Sequence, residues 1–298
     1  MIVGVLMLAG GVAAGVFGSL LGLGGGILIV PLLTIGFGLD LREAVGVSLV
    51  CVIMTSSAAA GVYLERHVAN LRLGMTLELF TAIGALVGGS IAFLLDERLL
   101  SVLFAGLLAY VALSMARADR TATPTPARPE TPQTPETSTF APDDAALAAT
   151  ADAGALPPRA TGRREAILAD LSGADYEVRN LGRGIVGSTG AGVTSALLGI
   201  GGGIIKVPLM HLAMGVPLRV ATATSNLMIG ITAAASAVIY LLRGEIDPYV
   251  AGPTAIGVFL GASVGSRIAP RIGVRWLRLA FIVVLGWTAI QMAIRATT

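Results

Sequence analysis

Charge is scarce in this 298-residue chain: 13% of residues are Asp, Glu, Lys or Arg, against roughly 25% in soluble domains. Nearly half of that charge crowds into one central stretch, and a net charge of +2 is too small to mark a nucleic-acid partner. The single cysteine, Cys51, lies in an apolar run and excludes an intrachain disulfide. With one Cys and two scattered histidines, His67 and His211, there is no metal cluster and no nucleophile–base pair, so neither an enzyme nor a bound metal or cofactor is expected. Aromatics, at 5%, are too few for the girdles of a membrane β-barrel. What is plentiful is apolar residues, 55%, and glycine, 39 residues. These point to an all-α polytopic membrane protein whose small residues let helices approach closely.

Apolar runs of about 20 residues, enough to cross roughly 30 Å of hydrocarbon, lie at 44–64, 74–95, 99–116, 220–242, 249–266 and 276–294. Two other runs are too long for one crossing. Residues 1–39 carry no charge and residues 184–218 carry only Lys206 in their apolar core, and both are broken by glycines at Gly22 to Gly26 and Gly199 to Gly203. The first run lacks a basic leader and is too long for a signal peptide. Between the halves, 117–180 holds Thr-Pro repeats through Pro124, Pro126, Pro129, Pro132 and Pro135. Such a composition cannot bury a core and is expected to be a disordered linker. The division is therefore a membrane repeat at 1–116, the linker, and a second repeat at 181–298.

The halves are copies. A shift of 177 positions lays GLGGGILIVPLL (Gly22 to Leu33) on GIGGGIIKVPLM (Gly199 to Met210) without a gap. About 23 of 52 positions are identical from Gly15 to Arg66 against Gly192 to Arg243. Arginine placement orients them, since cytoplasmic loops are enriched in basic residues. If each Gly-broken run is a hairpin entering and leaving on one side, Arg66, Arg72, Arg117, Arg120, Arg179, Arg183, Arg219, Arg267, Arg271 and Arg275 share a side against Arg42, Arg98, Arg243 and Arg295. A single kinked crossing gives no such bias. The hairpin reading makes the two copies inverted-topology repeats, each a Gly-broken helical hairpin plus three transmembrane helices. Both termini then lie outside the cytoplasm and the linker inside it.

Hairpins entering from opposite faces would bring their glycine tips together near the membrane midplane. There the bare N–H groups and positive dipole ends of two helix starts form an anion site. The residues assigned to it are Gly22, Gly24, Gly25 and Gly26 with Gly201, Gly202 and Gly203. The alternative is close packing, the reading preferred for Gly84, Gly88, Gly257, Gly261 and Gly265; a triple glycine breaks a helix rather than packs it. Neither copy reads GxGxxG or GK[ST], so nucleotide binding is a poor fit.

Lys206 lies inside an apolar run, where a charge is costly and marks function by default. It is read as the positive charge that attracts the anion, with snorkelling toward water as the alternative. The span 220–242 carries a polar stripe of Thr222, Ser225, Asn226, Thr232 and Ser236, matched in the first copy by Ser48, Thr55, Ser56 and Ser57. Such stripes either bond neighbouring helices or line a polar path; lining is favoured for Ser225 and Asn226, and Ser48 is placed with them at the site. Glu78 and His211 are candidates for proton coupling, although pairing with Arg72 or another interfacial Arg is the favoured reading for Glu78, and plain packing for His211.

At the duplicated G-[LI]-GGG-I-[LI]-x-V-P-[LM] motif the sequence resembles the TauE/SafE family of membrane permeases, often called sulfite exporters. The likeness covers about 4–116 and 181–294 and excludes the linker. It implies secondary transport of small sulfur oxyanions or organosulfonates, such as sulfite or sulfoacetate, usually outward, in a bacterial or archaeal plasma membrane. By position Gly22, Gly24, Gly25, Gly26 and Pro31, with Gly199, Gly201, Gly202, Gly203 and Pro208, belong to the motif. Lys206 faces Ile29 in the other copy. The expected function is export of such an anion by alternating access; an anion channel or an importer of a small oxyanion is the alternative. Partners are the anion, the bilayer and, through a Gly-rich face, a second copy in a homodimer.

Overall fold

The computed structural model describes residues 2–21, 25–65, 69–121, 171–172, 176–268 and 274–297. Most of the proposed linker, together with Gly22 and Gly24, therefore lies outside the described residues. The first half holds α1 (Ile2–Leu21), α2 (Gly26–Pro31), α3 (Leu41–Glu65), α4 (Leu71–Ala92) and α5 (Glu97–Thr121); the second holds α6 (Leu181–Leu198), α7 (Gly203–Pro208), α8 (Leu218–Leu242), α9 (Pro248–Ile268) and α10 (Val274–Thr297). The boundaries of α2, α3 and their partners α7, α8 coincide under the 177-residue shift. Pro31 and Pro208 end α2 and α7, and each is followed by a π-helical turn, Leu32–Gly36 and Leu209–Ala213. A proline offers no N–H to the ladder and its ring crowds the carbonyl four residues back, so the helix widens there.

Among the described residues, five helices are long and apolar enough to cross a membrane: the stretches Leu41–Ala58, Leu71–Ala92, Glu97–Ser114, Val220–Leu242 and Pro248–Ile268. Large apolar side chains stand exposed along the outer faces, among them Leu79, Ile83 and Leu86 on α4 and Ile256, Phe259 and Leu260 on α9. A patch of that extent suits lipid rather than water. The chain is an all-helical, multi-pass membrane protein.

The long glycine-broken runs do turn back on themselves. A side chain at Gly10 of α1 would run into Leu32 just past α2, and one at Gly187 of α6 would run into Leu209. In a continuous helix, residues 22 apart stand about 33 Å apart; here they touch.

Pairing between elements crosses the halves. α1 packs on α9, α4 on α6, α5 on α10 and α3 on α8. Glycine makes the first two contacts close. Leu8, Val12 and Val16 of α1 press their backbones against Gly257, Gly261 and Gly265 of α9, while Thr189 and Val193 of α6 press against Gly84 and Gly88 of α4. A β-carbon at any of these positions would collide with a main-chain atom or a buried side chain. The faces of Gly84, Gly88, Gly257, Gly261 and Gly265 are thus covered within the chain. The start of α3 lies against the end of α8: Arg42 and the Arg243 that caps α8 both stand over the Phe93 ring, at 5.7 and 5.0 Å, and the Tyr240 ring lies 5.2 Å from Phe93.

Candidate functional site

The two glycine motifs meet at the centre of the bundle. Ser48 Oγ on α3 donates to the Gly199 carbonyl at 2.8 Å and lies 3.2 Å from the Gly26 carbonyl. A β-carbon on Gly26 would strike that same Gly199 oxygen at 2.5 Å. The last glycine of one motif and the first of the other are therefore in backbone contact. In the second motif Gly199, Gly201 and Gly202 have φ of 69°, 79° and 74°. Three left-handed residues in four are tolerable only for glycine, and they swing the chain from the end of α6 into the start of α7.

Hydroxyls gather round this loop. Ser225 Oγ on α8 would lie 3.6 Å from a β-carbon on Gly203, and the Ser195 β-carbon on α6 would lie 3.4 Å from one on Gly202. Both serines are buried, and among the described residues neither hydroxyl has a hydrogen-bond partner. A buried polar group left unpaired costs about 1–3 kcal/mol, and two such hydroxyls stand beside this one glycine loop. Sequence reasoning selected Ser225 and missed Ser195, which has Gly18 opposite it in the first copy. Asn226 joins α3 through its carbonyl, which accepts from Ser56 Oγ at 2.6 Å.

Lys206 is 1% exposed and does not snorkel. Its Nζ donates to Glu78 Oε2 at 2.8 Å and to Thr232 Oγ1 at 2.6 Å, and Thr232 Oγ1 donates to Glu78 Oε1 at 2.6 Å. The expected pairing of Glu78 with Arg72 or another interfacial Arg is corrected: its ionic partner is Lys206, on the other half of the chain, 128 residues away. The reason is the cross-half packing, which places α4 against α6 and α8 and so brings Glu78 beside α7. Thr232, which closes the triangle, was not singled out from the sequence beyond its place in a polar stripe. His211 stands apart: it is exposed, and its Nδ1 contacts the Val216 carbonyl at 2.9 Å, bridging the turn after α7.

Ile229 separates the triangle from the glycine loop. It stands four residues after Ser225 and three before Thr232 on one face of α8, and it packs onto Gly201 and Gly203, with Val52 completing the contact at Gly201. The site therefore has a polar end at Ser195 and Ser225, an apolar plug, and an ion pair behind it.

The profile of the family described as "Sulfite exporter TauE/SafE" matches residues 7–292. Over 288 residues the chain is 25% identical to the "Probable membrane transporter protein YunE" of Bacillus subtilis (strain 168), covering 94% of each chain. Over 102 residues it is 32% identical to "Sulfite exporter TauE/SafE family protein 6" of Arabidopsis thaliana, covering 34% of this chain and 24% of that one. No solved structure matches it. With a match that spans both glycine motifs and every helix except the outermost turns, the chain belongs to the TauE/SafE family of membrane transporters.

Proposed function

We propose that this protein exports a small sulfur-containing anion, sulfite, sulfoacetate or a related organosulfonate, across the plasma membrane by alternating access. The anion is held between the two glycine motifs, by amides of Gly22, Gly24, Gly25 and Gly26 on one side and of Gly201, Gly202 and Gly203 on the other. The hydroxyls of Ser225 and Ser195 complete its shell. The observation that carries this reading is the pair of buried serine hydroxyls, without a partner among the described residues, beside a left-handed glycine loop. Anions at exposed helix starts are held by the same N–H groups and dipole ends. Lys206 belongs to the site through its charge and Ser48 through the carbonyls it ties down, while Asn226 borders it from α8.

The contact of the α3 start with the α8 end supports inverted repeats, and the arginine bias puts both termini outside the cytoplasm and residues 117–180 inside. Ile229 and Val52, packed against the glycines, favour a carrier over an open channel, which needs a continuous pore. The cross-half packing bears on which bodies move. α1 is bound to α9 and α4 to α6, so the moving units are mixed from both halves rather than one repeat rocking against the other.

Uptake of sulfite, sulfoacetate, taurine and sulfate into proteoliposomes, measured in parallel, tests the reading. Saturable flux of at least one sulfur anion is expected, with Gly202→Leu abolishing it. Movement of none of them, or a Gly202→Leu variant that transports like the parent, overturns it.

A further inference from the structure

The Lys206–Glu78–Thr232 triangle has an apolar twin in the same molecule. Under the 177-residue shift Lys206 corresponds to Ile29, Glu78 to Ala255 and Thr232 to Thr55. Ile29 and Ala255 are buried, and Thr55 turns its hydroxyl back onto its own helix, 3.1 Å from the Cys51 carbonyl and 3.0 Å from that of Val52. The same architecture thus closes without charge in one copy. Replacing a buried ion pair with apolar residues is often neutral or stabilising, so packing does not account for the pair in the other copy.

Access is also unequal within the pair. A groove of about 340 Å³ between α4 and α8 is lined mainly by apolar side chains, among them Met75, Leu79, Leu227 and Ile231, with Asn70, Thr224 and Glu78 as its polar members. The carboxylate borders it and the ammonium does not; their side chains are 5% and 1% exposed. Ser225 lies two turns along α8 from Thr232, about 10 Å, with Ile229 between them. A charge released at Lys206 therefore sits one apolar side chain from the anion's hydroxyls.

We propose that Lys206 and Glu78 form a proton-operated charge gate, in which a proton taken up by Glu78, the more exposed of the pair, frees the Lys206 ammonium to attract the transported anion. This rests on the transport reading above. With Glu78 ionised the pair is neutral as a unit and offers the anion no net charge. A proton from water adds to a carboxylate oxygen and gives the neutral acid; Lys206 keeps its own proton, and the site gains one positive charge. A monovalent anion then restores neutrality. When the anion leaves on the far side, the carboxyl returns its proton to water and the ion pair reforms. One proton and one anion move in the same direction, and no electrons are exchanged.

The surroundings leave this proton to Glu78. Among the described residues, α4 carries Arg72 in its first turn, six residues before Glu78, and α6 carries Arg183, exposed, in its own first turn. α8 has Arg219 in its first turn and Arg243 at its far cap; His211 is exposed and bonded to the Val216 carbonyl. The charged group that acts on Glu78 is Lys206.

The test uses the full chain in proteoliposomes, loaded with a trapped pH dye, and follows uptake of sulfite and of isethionate from about pH 5.5 to about pH 8. Isethionate is a strong acid with a constant charge, so any pH dependence of its uptake belongs to the protein. For the parent, uptake is expected to rise about tenfold toward the acid end, within the usual range of a coupling free energy. About one proton should enter with each isethionate. Glu78→Gln should make isethionate uptake independent of pH and uncouple it from protons. The double variant Lys206→Ile/Glu78→Ala, which installs the residues of the first copy, should carry no proton with the isethionate it moves, and it covers the case in which Glu78→Gln does not fold. Proton entry with isethionate in either variant, or a parent whose isethionate uptake is flat in pH and free of protons, overturns the gate. If the parent moves neither anion, the transport reading itself falls.

Discussion

Ser48 ties the two halves together at their glycine motifs, its hydroxyl 2.8 Å from the Gly199 carbonyl and 3.2 Å from that of Gly26. Its counterpart in the second copy, Ser225, has no hydrogen-bond partner among the described residues. One position in the repeat has thus been put to two uses. Ser48→Ala should destabilise the protein by about 1–3 kcal/mol, the cost of leaving buried carbonyls unpaired. Ser225→Ala should change stability by less than about 0.5 kcal/mol and lower anion affinity instead. Thermal unfolding in detergent beside substrate-saturation curves separates the two; equal loss of stability in both variants would contradict the assignment.

Gly202 holds a left-handed φ of 74° and faces the Ala191 carbonyl, 3.0 Å from where a β-carbon would sit. Gly202→Ala should cost about 1–2 kcal/mol from the backbone alone and reduce flux beyond what lower stability explains. Maximal uptake rates normalised to folded protein in the vesicles provide the check.

The α1–α9 seam makes a sharper packing prediction. Gly261→Ala drives a methyl into the Val12 carbonyl and should cost about 1–3 kcal/mol. Gly286 on α10 has open space where its β-carbon would go, so Gly286→Ala should be neutral or stabilising by up to about 1 kcal/mol. Their melting temperatures should move in opposite directions or differ clearly.

Lys206→Met leaves the Glu78 carboxylate buried without its partner and should destabilise by about 3–5 kcal/mol, whereas Lys206→Ile/Glu78→Ala should recover most of that loss. A double-mutant cycle on thermal unfolding measures the coupling; additive losses would mean that the two groups do not depend on each other.

Orientation has its own test. A reporter fused after Thr298 should be active only outside the cytoplasm, and one inserted near Pro132 only inside it. The opposite pattern would reverse the inverted-repeat reading.

Much of the fold could be read from the repeat alone, because a helix interrupted by Gly-x-Gly-Gly-Gly in one half had to be interrupted at the same place in the other. The hairpins followed from arginine bias, and the Gly10–Leu32 and Gly187–Leu209 contacts carry the same turn-back in space. What stayed hidden depends on which helix lies beside which. Glu78 met Lys206 rather than Arg72 because α4 pairs across the halves, and no local pattern around position 78 records that. Ser195 was overlooked because a serine in a Gly/Ala-rich helix looks like another small packing residue; only its missing partner sets it apart. Thr232 needed both α4 and α7 in place before it had anything to bridge.

The seams of α1 with α9 and α4 with α6 also govern how the protein is made. When α5 has emerged, Gly11 and Gly15 on α1 face a helix that begins more than 120 residues later in the chain. Nor has α4 yet met α6. The first half must wait in the bilayer with its glycine faces lined by lipid, so neither half is a unit that assembles alone. Cut within residues 122–170 and expressed as two pieces, the halves should be stable only when both are present, each serving as the other's scaffold.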